Sequence, residues 1–174
     1  FDRLYQKASI ILSKNDAIRK IEIFKYRNDH KFVEFINKLK TCHVVSLLFT
    51  EVTFTLEMST ILIHGLPSMN LEKLTFSGCQ FCKFILPEFD DDLNCSITKL
   101  IIQNDTFSPK EIRHFFRICL SSNITNLVLT DLNIDIKLFF DLLKPNANNF
   151  KVEKLDLSGN LCSSNYTDMV TIPS

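Results

Sequence analysis

The chain has 174 residues, 45% of them hydrophobic and 23% charged, with 20 basic and 20 acidic side chains. That apolar content excludes a disordered chain, and the length fits one domain, residues 1–174, or part of one. The even charge argues against a dedicated nucleic-acid binder, which is basic as a rule, and no stretch reaches the ~18 consecutive apolar residues of a membrane span.

Residues 1–17 read as a helix, with Phe1, Leu4, Ala8, Ile11 and Leu12 on one stripe. From residue 18 a skeleton recurs. Its clearest copy is Leu71-Glu-Lys-Leu-Thr-Phe, then four residues, then Phe81. It returns as Ile97-Thr-Lys-Leu-Ile-Ile, Ile124-Thr-Asn-Leu-Val-Leu and Val152-Glu-Lys-Leu-Asp-Leu. Weaker copies start at Ile18 and Val44. The starts at 18, 44, 71, 97, 124 and 152 are separated by steps of 26, 27, 26, 27 and 28 residues. A near-constant period over six copies is the mark of a repeat architecture.

Within a copy, slots one, four and six point inward from a short strand, and slot eleven caps that layer. Slots three, five and seven face the other way, because strand side chains alternate. A helical pattern follows the strand. Phe32, Phe35, Ile36 and Leu39 share one helix face, as do Ile112, Phe115, Phe116 and Cys119, and Ile136, Phe139, Phe140 and Leu143. The second copy carries Met58, Ile61 and Leu62 inward and ends at Gly65, a candidate helix C-cap. In the third, Pro87 marks a helix start and Glu88 and Asp90–Asp92 suit a first turn. The fourth opens with the capping box Ser108-Pro-Lys-Glu111. The sixth ends in a polar run, 163–174, too short for a convincing helix.

One strand plus one helix per copy, with the wider helices outside, predicts a curved α/β solenoid. The pattern resembles the leucine-rich repeat superfamily over roughly residues 18–162, and its helix-bearing class typified by ribonuclease inhibitor and NOD-like receptors. Leu-Asp-Leu-Ser-Gly-Asn at 155–160 is the best match, and Asn160 and Cys79 fill the polar ninth slot. Tyr26, Val52, Asp105 and Leu132 depart from it. The resemblance implies a horseshoe with strands on its concave face and a role in binding proteins. Extending the period backwards puts slot eleven on Phe1, so residues 1–17 are expected to be the convex helix of a preceding repeat or an N-terminal cap. No polar cap closes either end, which suggests a fragment of a longer array.

Chemistry is sparse. The three glycines, Gly65, Gly78 and Gly159, never fall within ten residues of each other, which excludes glycine-rich phosphate loops. Cys79-x-x-Cys82 lacks a second pair to complete a zinc site. His30, His43, His64 and His114 share no spacing, and Asp90–Asp92 lacks the spaced acids of a calcium loop. No cofactor, metal or catalytic residue is expected, and the chain is not expected to be an enzyme. Six cysteines at repeat positions read as small core thiols rather than disulfides. Four sequons, at Asn94, Asn104, Asn123 and Asn165, stand against that. About two would arise by chance at this asparagine content, and a cytoplasmic location is expected.

The candidate site is the outward face of the strands. Slot three reads Lys20, Ser46, Lys73, Lys99, Asn126 and Lys154. Slot five reads Glu22, Leu48, Thr75, Ile101, Val128 and Asp156, and slot seven Phe24, Thr50, Ser77, Gln103, Thr130 and Ser158. An apolar centre of Leu48, Ile101 and Val128 with a polar rim has the layout of a protein interface. Loops or the convex side are the other candidates. The expected function is a protein-interaction scaffold. The alternative is a regulator of an enzyme, an inhibitor or a GTPase activator, on the same fold.

Overall fold

The structure is a computed structural model and describes residues 18–26, 29–81, 95–105, 123–144 and 151–162. The expectations for 1–17, Cys82, Pro87 to Asp92, the Ser108 capping box, the Ile112–Cys119 stripe and 163–174 lie outside them.

Each copy contributes one short strand: β1 (Lys20–Phe24), β2 (Ser46–Thr50), β4 (Lys73–Ser77), β6 (Lys99–Gln103), β7 (Asn126–Thr130) and β8 (Lys154–Asp156). They form a six-stranded parallel sheet in chain order. Slot pairs with slot throughout: Ile21 with Leu47, Leu47 with Leu74, Leu74 with Leu100, Leu100 with Leu127, and Leu127 with Leu155. A second parallel ladder joins β3 (Thr53–Phe54) to β5 (Gln80–Phe81), slots ten and eleven of adjacent copies.

The main chain repeats its bonds as faithfully as its side chains. The slot-two carbonyl of Val45 accepts from the N–H groups of both Glu72 and Lys73. Arg19, Glu72, Thr98 and Thr125 serve the following copy in the same way. At slot eight the chain turns through a left-handed residue in all six copies: Lys25, Glu51, Gly78, Asn104, Asp131 and Gly159, with φ between 51° and 71°. This bend aims each slot-eight N–H at the slot-seven carbonyl of the next strand: Lys25 to Thr50, Glu51 to Ser77, Gly78 to Gln103, Asn104 to Thr130 and Asp131 to Ser158.

Three α-helices are described: α1 (Asp29–Leu39), α2 (Leu56–Gly65) and α3 (Ile136–Leu143). Thr55 Oγ1 caps α2 by accepting from Met58 N at 3.2 Å, and Asp135 Oδ1 caps α3 by accepting from Lys137 N at 2.9 Å. The apolar stripe of α1, Phe32, Phe35, Ile36 and Leu39, is buried with slots four and six in one core. Phe32 reaches Phe49 of β2 and Phe54 of β3 at about 6 Å between ring centres. Phe49 stacks on Phe76 at 5.5 Å, and Phe54 on Phe81 at 5.0 Å. Each such ring pair adds roughly 0.5–1.5 kcal/mol to the burial itself.

Three expectations need correction. Gly65 is no left-handed cap. Its φ is −78°, and the chain continues into a 3-10 turn, Leu66–Ser68. A Cβ there would stand 2.7 Å from Ile36 Cγ2, so Gly65 is a contact residue that lets α2 approach α1. In α2, Ile63 is buried with Met58 and Leu62, whereas Ile61 is only partly covered. Cys162 in slot eleven is exposed, whereas Cys79 and Cys95 are buried and Cys42 is intermediate. Cys162 belongs to the last described copy, where Leu155 and Leu161 are 36% and 55% exposed. β8 has a partner on one side only among the described residues.

Candidate functional site

Alternation divides the sheet into two unlike faces. Slots four and six of β2, β4, β6 and β7 are buried, while slots three and seven of the same strands stay partly open. Parallel sheets are ordinarily covered on both faces. Here the second face is left part-solvated along its length.

Register turns the expected columns into rows. Along slot three, Lys20 lies beside Ser46, Ser46 beside Lys73, Lys73 beside Lys99, Lys99 beside Asn126, and Asn126 beside Lys154. Lys73 and Lys99 are thus like charges on adjacent strands about 4.8 Å apart, a repulsive arrangement. Neither forms an ion pair among the described residues, and both are half-buried. Along slot five, Glu22, Leu48, Thr75, Ile101, Val128 and Asp156 follow in order. Leu48, Ile101 and Val128 are half-buried. Thr75, between the Leu48 and Ile101 strands, is the buried member of this row at 8% exposed.

The rim is held by hydrogen bonds. Thr50 Oγ1 donates to Glu22 Oε1 at 3.3 Å, and Gln103 Nε2 donates to Ser77 Oγ at 3.1 Å. Asp156 Oδ1 accepts from Ser158 N at 3.0 Å and from Ser158 Oγ at 2.7 Å. The Ser158 amide and hydroxyl hold the Asp156 carboxyl below its usual value. At the β1 end Phe24 is 55% exposed, and Lys25 Nζ lies 4.9 Å from its ring centre. Lys25 also pairs with Glu51 at 3.1 Å. Lys25 and Glu51 extend the rim, and the candidate columns did not include them. The signal was present: four of the six slot-eight residues are Gly, Asn or Asp, the types that tolerate a left-handed backbone.

Slot nine lies inside, behind this rim. Asn160 Oδ1 accepts from Leu132 N at 3.0 Å, and its Nδ2 donates to Leu129 O and Leu157 O. Asp105, a departure from the expected pattern, still joins the ladder: its Oδ1 accepts from Cys79 N. Among the described residues no three His, Cys, Asp or Glu side chains gather to hold a metal, and no helix is long and apolar enough to cross a membrane. Comparison of the chain with protein-family models and with curated proteins returned no match.

Proposed function

We propose that this chain is a leucine-rich-repeat-type solenoid, curved with its strands on the concave side, that docks a protein partner on the open face of its sheet. The observation that carries the reading is the Lys73–Lys99 pair beside the half-buried Leu48, Ile101 and Val128 stripe. Two lysines in register on adjacent strands, without an ion pair among the described residues, are a standing cost that an acidic group on a partner would relieve. An apolar strip next to them would gain from being covered. Six strands span about 24 Å, enough with the adjoining rim to supply the ~800 Å² per partner of a standard interface. The free thiols Cys79, Cys95 and Cys162 support a cytoplasmic setting, where thiols stay reduced.

The test compares three forms of the immobilised chain in one lysate: wild type, Lys73→Glu/Lys99→Glu, and a control with Glu57→Lys on exposed α2. A protein held by wild type and control is expected to bind the double variant at least tenfold more weakly, about 1.4 kcal/mol. Equal retention by all three forms would exclude this face as the contact surface.

A further inference from the structure

Two polar residues of slot nine, Cys79 and Asn160, share one habit. Cys79 Sγ donates to Phe49 O at 3.5 Å, and Asn160 Nδ2 donates to Leu129 O at 2.6 Å. Phe49 and Leu129 both occupy slot six of the preceding copy. Cys79 and Asn160 each donate a hydrogen bond to the slot-six carbonyl one strand back, and Asn160 also accepts the slot-nine N–H of that same preceding copy, from Leu132. Asp105 fills the same slot in the fourth copy. Its accepting half is in place, through Oδ1 and Cys79 N. Its other oxygen, Oδ2, is buried without a hydrogen-bond partner, and the residue is 3% exposed. By the offset of its two counterparts, the carbonyl opposite Asp105 is that of Phe76. An ionised carboxylate has nothing to give a carbonyl. A buried unpaired charge is also expensive.

We propose that Asp105 is the neutral acid in the folded chain and donates its Oδ2 proton to the carbonyl of Phe76, closing a junction between the third and fourth copies that ionisation opens. Burial raises the Asp105 carboxyl from 3.8 to about 7, against the lowering effect of the Cys79 N–H. Cys79 is the titratable group facing it, and its own thiol is pushed up to about 11, so it stays protonated. On the other side slot nine is Leu132, without charge. The direction of the pH effect follows. Below 3.8 folded and unfolded chains both hold the proton. Between 3.8 and about 7 only the folded chain holds it, so stability falls as pH rises through this window and levels off above it. The junction joins β4 to β6, the strands that carry Lys73 and Lys99.

Thermal unfolding from pH 5 to pH 8 of wild type, Asp105→Asn and Asp105→Leu tests this. Leucine is compatible with the slot, since Leu132 fills it one copy on. Wild type is expected to lose roughly 5–10 °C relative to Asp105→Asn across the range. Asp105→Leu, which removes the charge without supplying a donor, should run parallel to Asp105→Asn and melt below it. Parallel wild-type and Asp105→Asn profiles would overturn the proposal, and so would equal melting of the two variants. Should the variants not fold, the carboxyl carbon of Asp105 in the wild-type chain decides by NMR. A midpoint near 7 supports a retained proton, and a midpoint near 4 overturns it.

Discussion

Slot eight places a left-handed residue at the end of every strand, and the six residues there meet that demand differently. Glycine adopts the conformation without penalty, whereas a side chain adds roughly 1–2 kcal/mol. At Gly78 a Cβ would meet only Glu51 Cγ, at 3.6 Å, an ordinary contact. At Gly159 a Cβ would fall 1.9 Å from Asp131 Oδ1 and 2.7 Å from Asp131 Cγ. Gly78→Ala should therefore cost about 1–2 kcal/mol. Gly159→Ala should cost about 1 kcal/mol more, because the Asp131 side chain must swing away. Denaturant melts check both. In an Asp131→Ala background the excess at Gly159 should shrink to what the 3.2 Å approach of Asp131 N leaves, which separates the side-chain clash from the backbone term. Slot eight could have been found in the sequence from Gly78, Asn104, Asp131 and Gly159. Lys25 and Glu51 hid it, because neither residue type signals a positive φ.

Among the elements, the strands were legible because slots four and six repeat the same branched or aromatic side chains, and burial of one face forces one register. The stripe of α1 was legible for the same reason. The role of Gly65 was not. A glycine at a helix end usually caps it, and only a neighbouring helix distinguishes a cap from a contact. Ile36 Cγ2 is that neighbour, on a fully buried β-branched side chain that cannot turn aside cheaply. Gly65→Ala gains about 1 kcal/mol of helix propensity. It forces an overlap that costs about 1–3 kcal/mol. A net loss of about 1 kcal/mol is expected in equilibrium unfolding. A gain would mean that α1 and α2 are not in close contact at this point.

At the scale of the whole molecule, the period placed the residues of slots three, five and seven on one face, and the register aligns them strand to strand in rows. What the period could not supply was depth within the rows. Thr75 looks like its slot-mates in the sequence, but the strands on both sides enclose it. Asp105 looks like a departure from a polar ladder, yet its carboxyl accepts the Cys79 N–H as the Asn160 amide accepts that of Leu132. In both cases the meaning lies in the neighbouring copy, 26 or 27 residues away, and not in the local string. Everything proposed for the open face depends on this alignment between copies. A slip of one residue would turn Leu48, Ile101 and Val128 into the core and bring Leu47, Leu100 and Leu127 to the surface.

Scalar couplings transmitted across hydrogen bonds, measured by NMR, report that alignment directly. The pairs expected are Lys25 N–H with the Thr50 carbonyl, Glu51 with Ser77, Gly78 with Gln103, Asn104 with Thr130 and Asp131 with Ser158. All five, each joining slot eight of one copy to slot seven of the next, would establish the stacking. Couplings displaced by one residue, or joining copies that are not consecutive, would contradict it and the open face with it.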